Sequence, residues 1–158
     1  MSWRGSTTTS DRVLASLPYL LPLIDAFPFG GFLFKQFPAI GLIYLPLQPL
    51  LVINNLPFAG LIIFFVLYLA VVRNENISHF IRFNTLQAIL VDILLMLCGM
   101  LFFQILLPGL GQNLITETLF NVAFIGTLAA CIYSVVKSLL GSYAEIPALS
   151  EAVYMQVR

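Results

Sequence analysis

Between Lys35 and Arg73 the chain runs for 37 residues without one charged side chain. As a single helix at about 1.5 Å per residue this stretch would be roughly 55 Å long, well beyond the ~30 Å hydrocarbon core of a bilayer. It must therefore turn, and Asn54-Asn55-Leu56-Pro57 supplies turn-forming residues near its middle. Two spans are predicted here, at about 36–53 and 56–72. Pro38, Pro46 and Pro49 make the first irregular, and its freed carbonyls must find partners inside the protein.

The rest of the chain agrees with a lipid setting. Of its 158 residues, 60% are hydrophobic and 9% charged, against about 25% charged in a soluble domain. The fold class expected is an all-α membrane protein forming one domain over residues 1–158. A third span is predicted at about 83–107, closed by Pro108-Gly109, and a fourth at about 118–140, closed by Gly141. A formal net charge of zero excludes nucleic acid as a partner, because that partner requires a basic patch.

The segment at 12–29 carries Pro18, Pro22 and Pro28, each of which would interrupt the hydrogen-bond ladder of a crossing helix. Its uninterrupted apolar run, Val13 to Ile24, has a length typical of interfacial or re-entrant segments. With four spans and this segment at the interface, Arg4, Arg12, Lys35, Arg73, Arg82, Lys137 and Arg158 all gather on or near one side. Positive charge collects on the cytoplasmic side, so both termini are expected there, with 141–158 as a tail on that side. In the tail, Pro147 suits a first helical turn, and Leu149, Val153 and Val157 make one apolar face, with Ser150 and Glu151 counted as polar. Such a short helix needs cover, and docking within the chain or on a partner is expected rather than lipid. The opening MSWRGSTTTSD is too short for a cleavable signal or transit peptide, so the chain is expected to be made in the compartment that uses it, or in a prokaryote.

Asp92 lies nine residues past Phe83, roughly 13 Å into the third span. A central Asp costs about 2.5–3.5 kcal/mol to insert. The thirteen Leu, Ile, Val and Phe residues from Leu86 to Leu106 offset this by about 0.3–0.6 kcal/mol each, so the span inserts without needing a function for Asp92. Direction says more. Asn84, Ala88, Asp92, Leu95 and Gly99 share a stripe about 80° wide, with Gln87 beside it. Such a stripe faces protein or water, either as an interhelical contact or as the lining of a path. In the fourth span Gly126, Ala130, Ser134 and Ser138 recur every four residues, the small-residue spacing that lets helix backbones approach.

His79 stands between Arg73 and Arg82 in an interfacial motif, with Ser78 as the candidate N-cap. It is the only histidine, so a histidine metal site has no second ligand. Cys98 and Cys131 sit in apolar runs and form no CxxC. GxSxG, HExxH, Walker and GxGxxG patterns do not occur. The expectation is a protein that is not an enzyme, with no cofactor and no metal.

Three stretches carry a family resemblance: LASLPYLLPLIDAFPFGGFLFKQFP (14–38), LPFAGLIIFFVLYLAVVRNENISHFIRFNTLQAILVDIL (56–94) and LFNVAFIGTLAACIYSVVKSLLGSYAEIPALSEAVYMQVR (119–158). Together they closely resemble the twenty-kilodalton subunit family of the Tic translocon, the translocon at the inner envelope membrane of chloroplasts. The resemblance implies four helices with termini facing the stroma or cytosol, and a part in passing preproteins across the inner envelope in plastids. Without a transit peptide the chain is read as a cyanobacterial homologue, in the plasma or thylakoid membrane, or else as a plastid-encoded one in the inner envelope. The partners expected are membrane lipid, other membrane subunits or further copies of the chain, and translocating polypeptides. Two other functions stay open: a small cation or solute channel lined by Asn84, Gln87 and Asp92, and a structural subunit of a photosynthetic-membrane complex.

Overall fold

The computed structural model describes residues 6–157; Arg4 and Arg158, two of the basic residues in the orientation argument, lie outside the described residues. Among the described residues all regular structure is helical. We number seven helices: α1 Thr9–Asp25, α2 Phe27–Gln36, α3 Pro38–Asn54, α4 Ala59–Val72, α5 His79–Leu110, α6 Leu114–Leu139 and α7 Leu149–Gln156.

A capping box starts α1. Asp11 N donates to Thr8 Oγ1 at 3.1 Å, and Thr8 N donates to Asp11 Oδ2 at 3.0 Å. The prolines tighten the helical path without ending it. Pro18 and Pro28 sit in the first two positions of 3₁₀ turns at Leu17–Tyr19 and Phe27–Gly30. Pro22 sits in the first turn of the stretch Leu20–Asp25. At such positions the missing N–H has no intrahelical partner to lose. The segment 12–29 is therefore helical through most of its length and forms a bent pair with the residues up to Gln36, the shape of a broken span or of a re-entrant segment. Asp11 lies by Ser78, Tyr19 by Asn84, and Phe29 by Gly99, Phe102 and Phe103. From Ser78 to Phe103 is about 25 residues, roughly 37 Å along α5. Helices α1 and α2 meet at 50° and together follow α5 from end to end.

The stretches 36–53 and 56–72 are occupied by α3 and α4. Helices α3 and α4 meet at 97°, and neither is long enough to be a span alone. Phe58, in the left-handed region at φ 63°, sets the corner. Among the described residues, only α5 and α6 are individually long and apolar enough to cross a bilayer; counting each bent pair as one span brings the number to four. A tally of four thus requires a different partition, with α1–α2 as one unit and α3–α4 as another.

The two long helices also exceed their predicted bounds. Helix α5 passes through Pro108 because a π turn at Phe102–Leu106 widens the ladder just before it. It stops at Gly111, φ 68°. Helix α6 begins at Leu114, earlier than 118, because Asn113 Oδ1 accepts from Thr116 N at 3.0 Å. Its end is a Schellman motif: Ser142 N donates to Lys137 O and Gly141 N to Ser138 O, both at 2.9 Å.

Two apolar clusters hold these elements. Ala26, Phe29, Tyr44, Leu95, Phe120 and Phe124 join α1, α2 and α3 to the α5–α6 pair. Val72, Phe83, Leu86, Ile89, Val153 and Val157 fix the tail helix α7 against α4 and α5. The tail docks within the chain, and Ser150, counted above as an outward polar residue, is buried. Most side chains of α3 and α4 face outward.

Gly141 has φ 77°, and a Cβ there would meet Thr7 Oγ1 at 2.6 Å and Arg12 Nε at 2.8 Å. Gly141→Ala should lower stability by roughly 1–3 kcal/mol, from left-handed strain plus the clash. At Gly126 a Cβ meets nothing within 4 Å, so Gly126→Ala should leave stability unchanged or raise it. Thermal unfolding of both variants in detergent checks this; equal melting temperatures would refute the account of Gly141.

Candidate functional site

The polar stripe on α5 divides into two clusters. In the first, Asn84 and Gln87 are fully buried. Tyr19 OH donates to Asn84 Oδ1 at 2.9 Å and Ser138 Oγ to the same oxygen at 3.0 Å, while Asn84 Nδ2 donates to Phe80 O at 2.9 Å. Gln87 Nε2 donates to Tyr19 OH at 3.0 Å and to Ala144 O at 2.6 Å. Gln87 Oε1 accepts from Ser150 Oγ at 2.7 Å, and that hydroxyl accepts from Ile146 N at 2.7 Å. The donor and acceptor directions of these bonds are mutually consistent. Four parts of the chain converge: α1, α5, α6 and the tail.

Asp92 belongs to the second cluster, about one and a half turns further along α5. Its carboxyl lies near the Asp25 carboxyl at the end of α1. Asn54, at the end of α3, donates from Nδ2 to Asp25 Oδ1. Asp92 Oδ1 and Asn54 Oδ1 have no partner among the described residues. The cluster sits where α1 meets the corner between α3 and α4. No group of three or more His, Cys, Asp or Glu suited to a metal occurs among the described residues.

The small-residue stripe on α6 is split as well. Ser134 and Ser138 are buried, Ala130 is half-buried and Gly126 is exposed. Only its C-terminal half packs inside the chain, where α1 crosses it. Of the interfacial motif, Arg82 Nε donates to Val72 O at 2.8 Å, closing the α4–α5 loop. Arg73 is exposed, beside Arg82 on a polar cavity of about 380 Å³ that also includes Glu75 and Gln156. Ser78 is the N-cap expected, accepting from Ile81 N at 3.4 Å. His79 does more than begin the helix. Its Nε2 lies 3.1 Å from Val157 O and its Nδ1 2.9 Å from Tyr143 OH. A carbonyl only accepts, so Nε2 carries the proton and donates, and Nδ1 accepts from the tyrosine.

Sequence reasoning missed Tyr19, Asp25, Asn54, Tyr143 and Ser150. Tyr19 and Asp25 are polar residues inside an apolar proline-rich run, which was a usable signal. Ser150 gave none, since its neighbours on the tail are polar.

A family profile described as "Chloroplast import apparatus Tic20-like" matches residues 9–153. The chain is 54% identical over 159 residues to a "Tic20 family protein" of Synechocystis sp., covering all of this chain and 99% of that one. It is 36% identical over 155 residues to "Protein TIC 20-II, chloroplastic" of Arabidopsis thaliana, covering 96% of this chain and 74% of that one. A "Tic20 family protein Ycf60" of Porphyra purpurea is 35% identical over 166 residues, with 97% and 78% covered.

Asn84→Leu would leave the hydroxyl hydrogens of Tyr19 and Ser138 without their acceptor. Each buried orphan costs about 1–3 kcal/mol, so a loss of roughly 2–5 kcal/mol is expected. Asn76→Ala, at an exposed loop position, should cost almost nothing. Reversible unfolding in mixed micelles measures both; an Asn84→Leu chain as stable as Asn76→Ala would show that the network holds nothing.

Proposed function

The chain belongs to the Tic20-like family of the chloroplast import apparatus, and from that premise we propose that it is a non-enzymatic membrane subunit that handles polypeptides within a larger assembly. The observation that carries the reading is where the polar and apolar groups lie. Asn84 and Gln87 spend their hydrogen bonds inside the chain, so alone it offers no wet path past them. Its apolar surface, by contrast, is broad and unpaired: Leu42, Leu45, Val52, Phe58, Leu61 and Leu69 on the α3–α4 unit are all more than half exposed. Transmembrane helices associate through close packing, and a bent pair with this much free surface offers other subunits or further copies a place to pack. The homologues support the plasma or thylakoid membrane of a cyanobacterium, or a plastid inner envelope, as its location.

In the bilayer the reading is four crossings, two straight and two bent, with both termini on the cytoplasmic or stromal side. In a chain lacking Cys98 and Cys131, cysteines at Lys35 and Gln112 should react with an impermeant reagent from the face opposite to one at Asn76. Labelling of Lys35→Cys from the same face as Asn76→Cys would remove the crossing assigned to α1–α2. Purification from native membranes in mild detergent should yield the chain with other membrane proteins or in multiple copies; a lone monomer would count against the assembly.

One observation favours passage of a small cation as a second reading. Asp25 and Asp92 lie near each other, and no lysine or arginine among the described residues pairs with them. Cation flux from liposomes that depends on the purified chain and is lost in Asp92→Asn would decide for it.

A further inference from the structure

We infer that the C-terminal segment 142–157 is a displaceable occupant of a peptide-binding groove on the α4–α5 face, and that an apolar stretch of another polypeptide takes its place there. This deepens the polypeptide-handling reading, on which it rests, by naming the surface and the class of segment. The groove recognises its present occupant by chemistry that any peptide carries. Gln87 Nε2 holds the carbonyl of Ala144 at 2.6 Å and His79 Nε2 holds that of Val157 at 3.1 Å. Both Nε2 donors stand on α5 and meet main-chain oxygens, and Tyr19 holds Gln87 in place; the other ends of the two side chains add Ser150 Oγ and Tyr143 OH of the present occupant. Between them Val72, Phe83, Leu86 and Ile89 form the socket that buries Val153 and Val157, residues four apart on one helical face. Phe83 adds ring contacts to Tyr143 at 4.9 Å and Tyr154 at 4.7 Å. Two carbonyl clasps around an apolar socket suit a polypeptide with spaced apolar side chains; a lipid tail brings no carbonyls along its length.

The occupant is held under strain. Ala148 has φ 67° and ψ −45°, and Leu149 N donates to Pro147 O at 2.9 Å across it. That is a γ-turn of the positive-φ kind, rare and strained for a residue with a Cβ. It is the hinge between the irregular 142–147 and α7. An eight-residue helix has little stability of its own in water, so α7 holds its shape through the groove. Release relaxes the hinge and frees both donors at once. The Schellman turn, closed by Gly141 N and Ser142 N, is the upstream anchor; it lies outside the groove, so displacement begins beyond Ser142.

The test uses the full chain in phosphatidylcholine nanodiscs and, as probe, a fluorescent synthetic peptide of residues 142–157. In the wild type the tethered segment competes at high effective concentration and keeps the peptide weak. Val153→Asp puts a charge on the fully buried face of the tail and leaves the groove untouched. It should tighten peptide binding at least tenfold, with faster hydrogen exchange at amides 149–157 and unchanged exchange in α5. Adding Gln87→Ala should reverse most of that gain. Ala148→Gly relieves the strain and should move affinity the other way, about threefold weaker than wild type. The inference fails if the Val153→Asp tail opens without any gain in peptide binding, as it would were lipid to fill the groove. It fails equally if amides 149–157 of the wild type exchange as slowly as those of α5, or if Ala148→Gly leaves affinity unchanged. Peptide exchange in a chain that purifies without partners would sink the assembly reading and leave the groove standing; the reverse result would remove the groove alone.

Discussion

The bond from Tyr19 to Asn84 is the constraint from which the arrangement follows. A phenol and a carboxamide enclosed among apolar side chains cannot turn to water, so each must find the other or cost about 1–3 kcal/mol unmet. Asn84 then accepts from Ser138 and Gln87 donates back to Tyr19, which locks α1 between α5 and α6. Interhelical hydrogen bonds in lipid average only about 0.6 kcal/mol, up to about 1.7. Their weight here lies in specificity. Only one register of α1 meets Asn84, Gln87 and Ser138 together, whereas the surrounding leucines would accept several.

That requirement also explains how the prolines of 12–29 fit into a helical path beside α5. Judged by the local rule, three prolines bar a crossing helix. Yet each stands at a 3₁₀ or first-turn position where no donor is missed, and Tyr19 has partners only beside α5. The rule was sound for an isolated helix and was overridden by a tertiary bond 65 residues apart in sequence. The 36–72 stretch shows the converse. Its turn at Asn54–Pro57 was legible from residue types, but the angle there was not. Asn54 bonds Asp25, and that pins the corner beside the middle of α5 where two full spans had been expected to pass.

Cap chemistry was the most legible layer. Ser78 and Gly141 sit where their residue types predict, because a cap is satisfied by neighbours within a few positions. The polar stripe was legible as a stripe and illegible as two sites. Periodicity says that Asn84 and Asp92 face the same way; it does not say that Tyr19 and Ser138 meet the first while Asp25 meets the second. Residues such as Ser150 were hidden for a related reason. A serine on a polar tail looks solvated until a buried glutamine is seen to need it.

A subunit that works on polypeptides in a membrane faces opposed demands, since any wet path it opens also leaks ions. On the proposed reading, polar groups that bond one another across four segments would leave no such path past Asn84 and Gln87, and the tail covers Gln87 with Ala144 and Ser150. A polypeptide that took the tail's place, as inferred above, would bring backbone carbonyls of its own to the same donors. The apolar face of α3 and α4 answers the other demand. It leaves the chain free to join neighbours without disturbing the α1–α5–α6 core, because few of its side chains are committed inward.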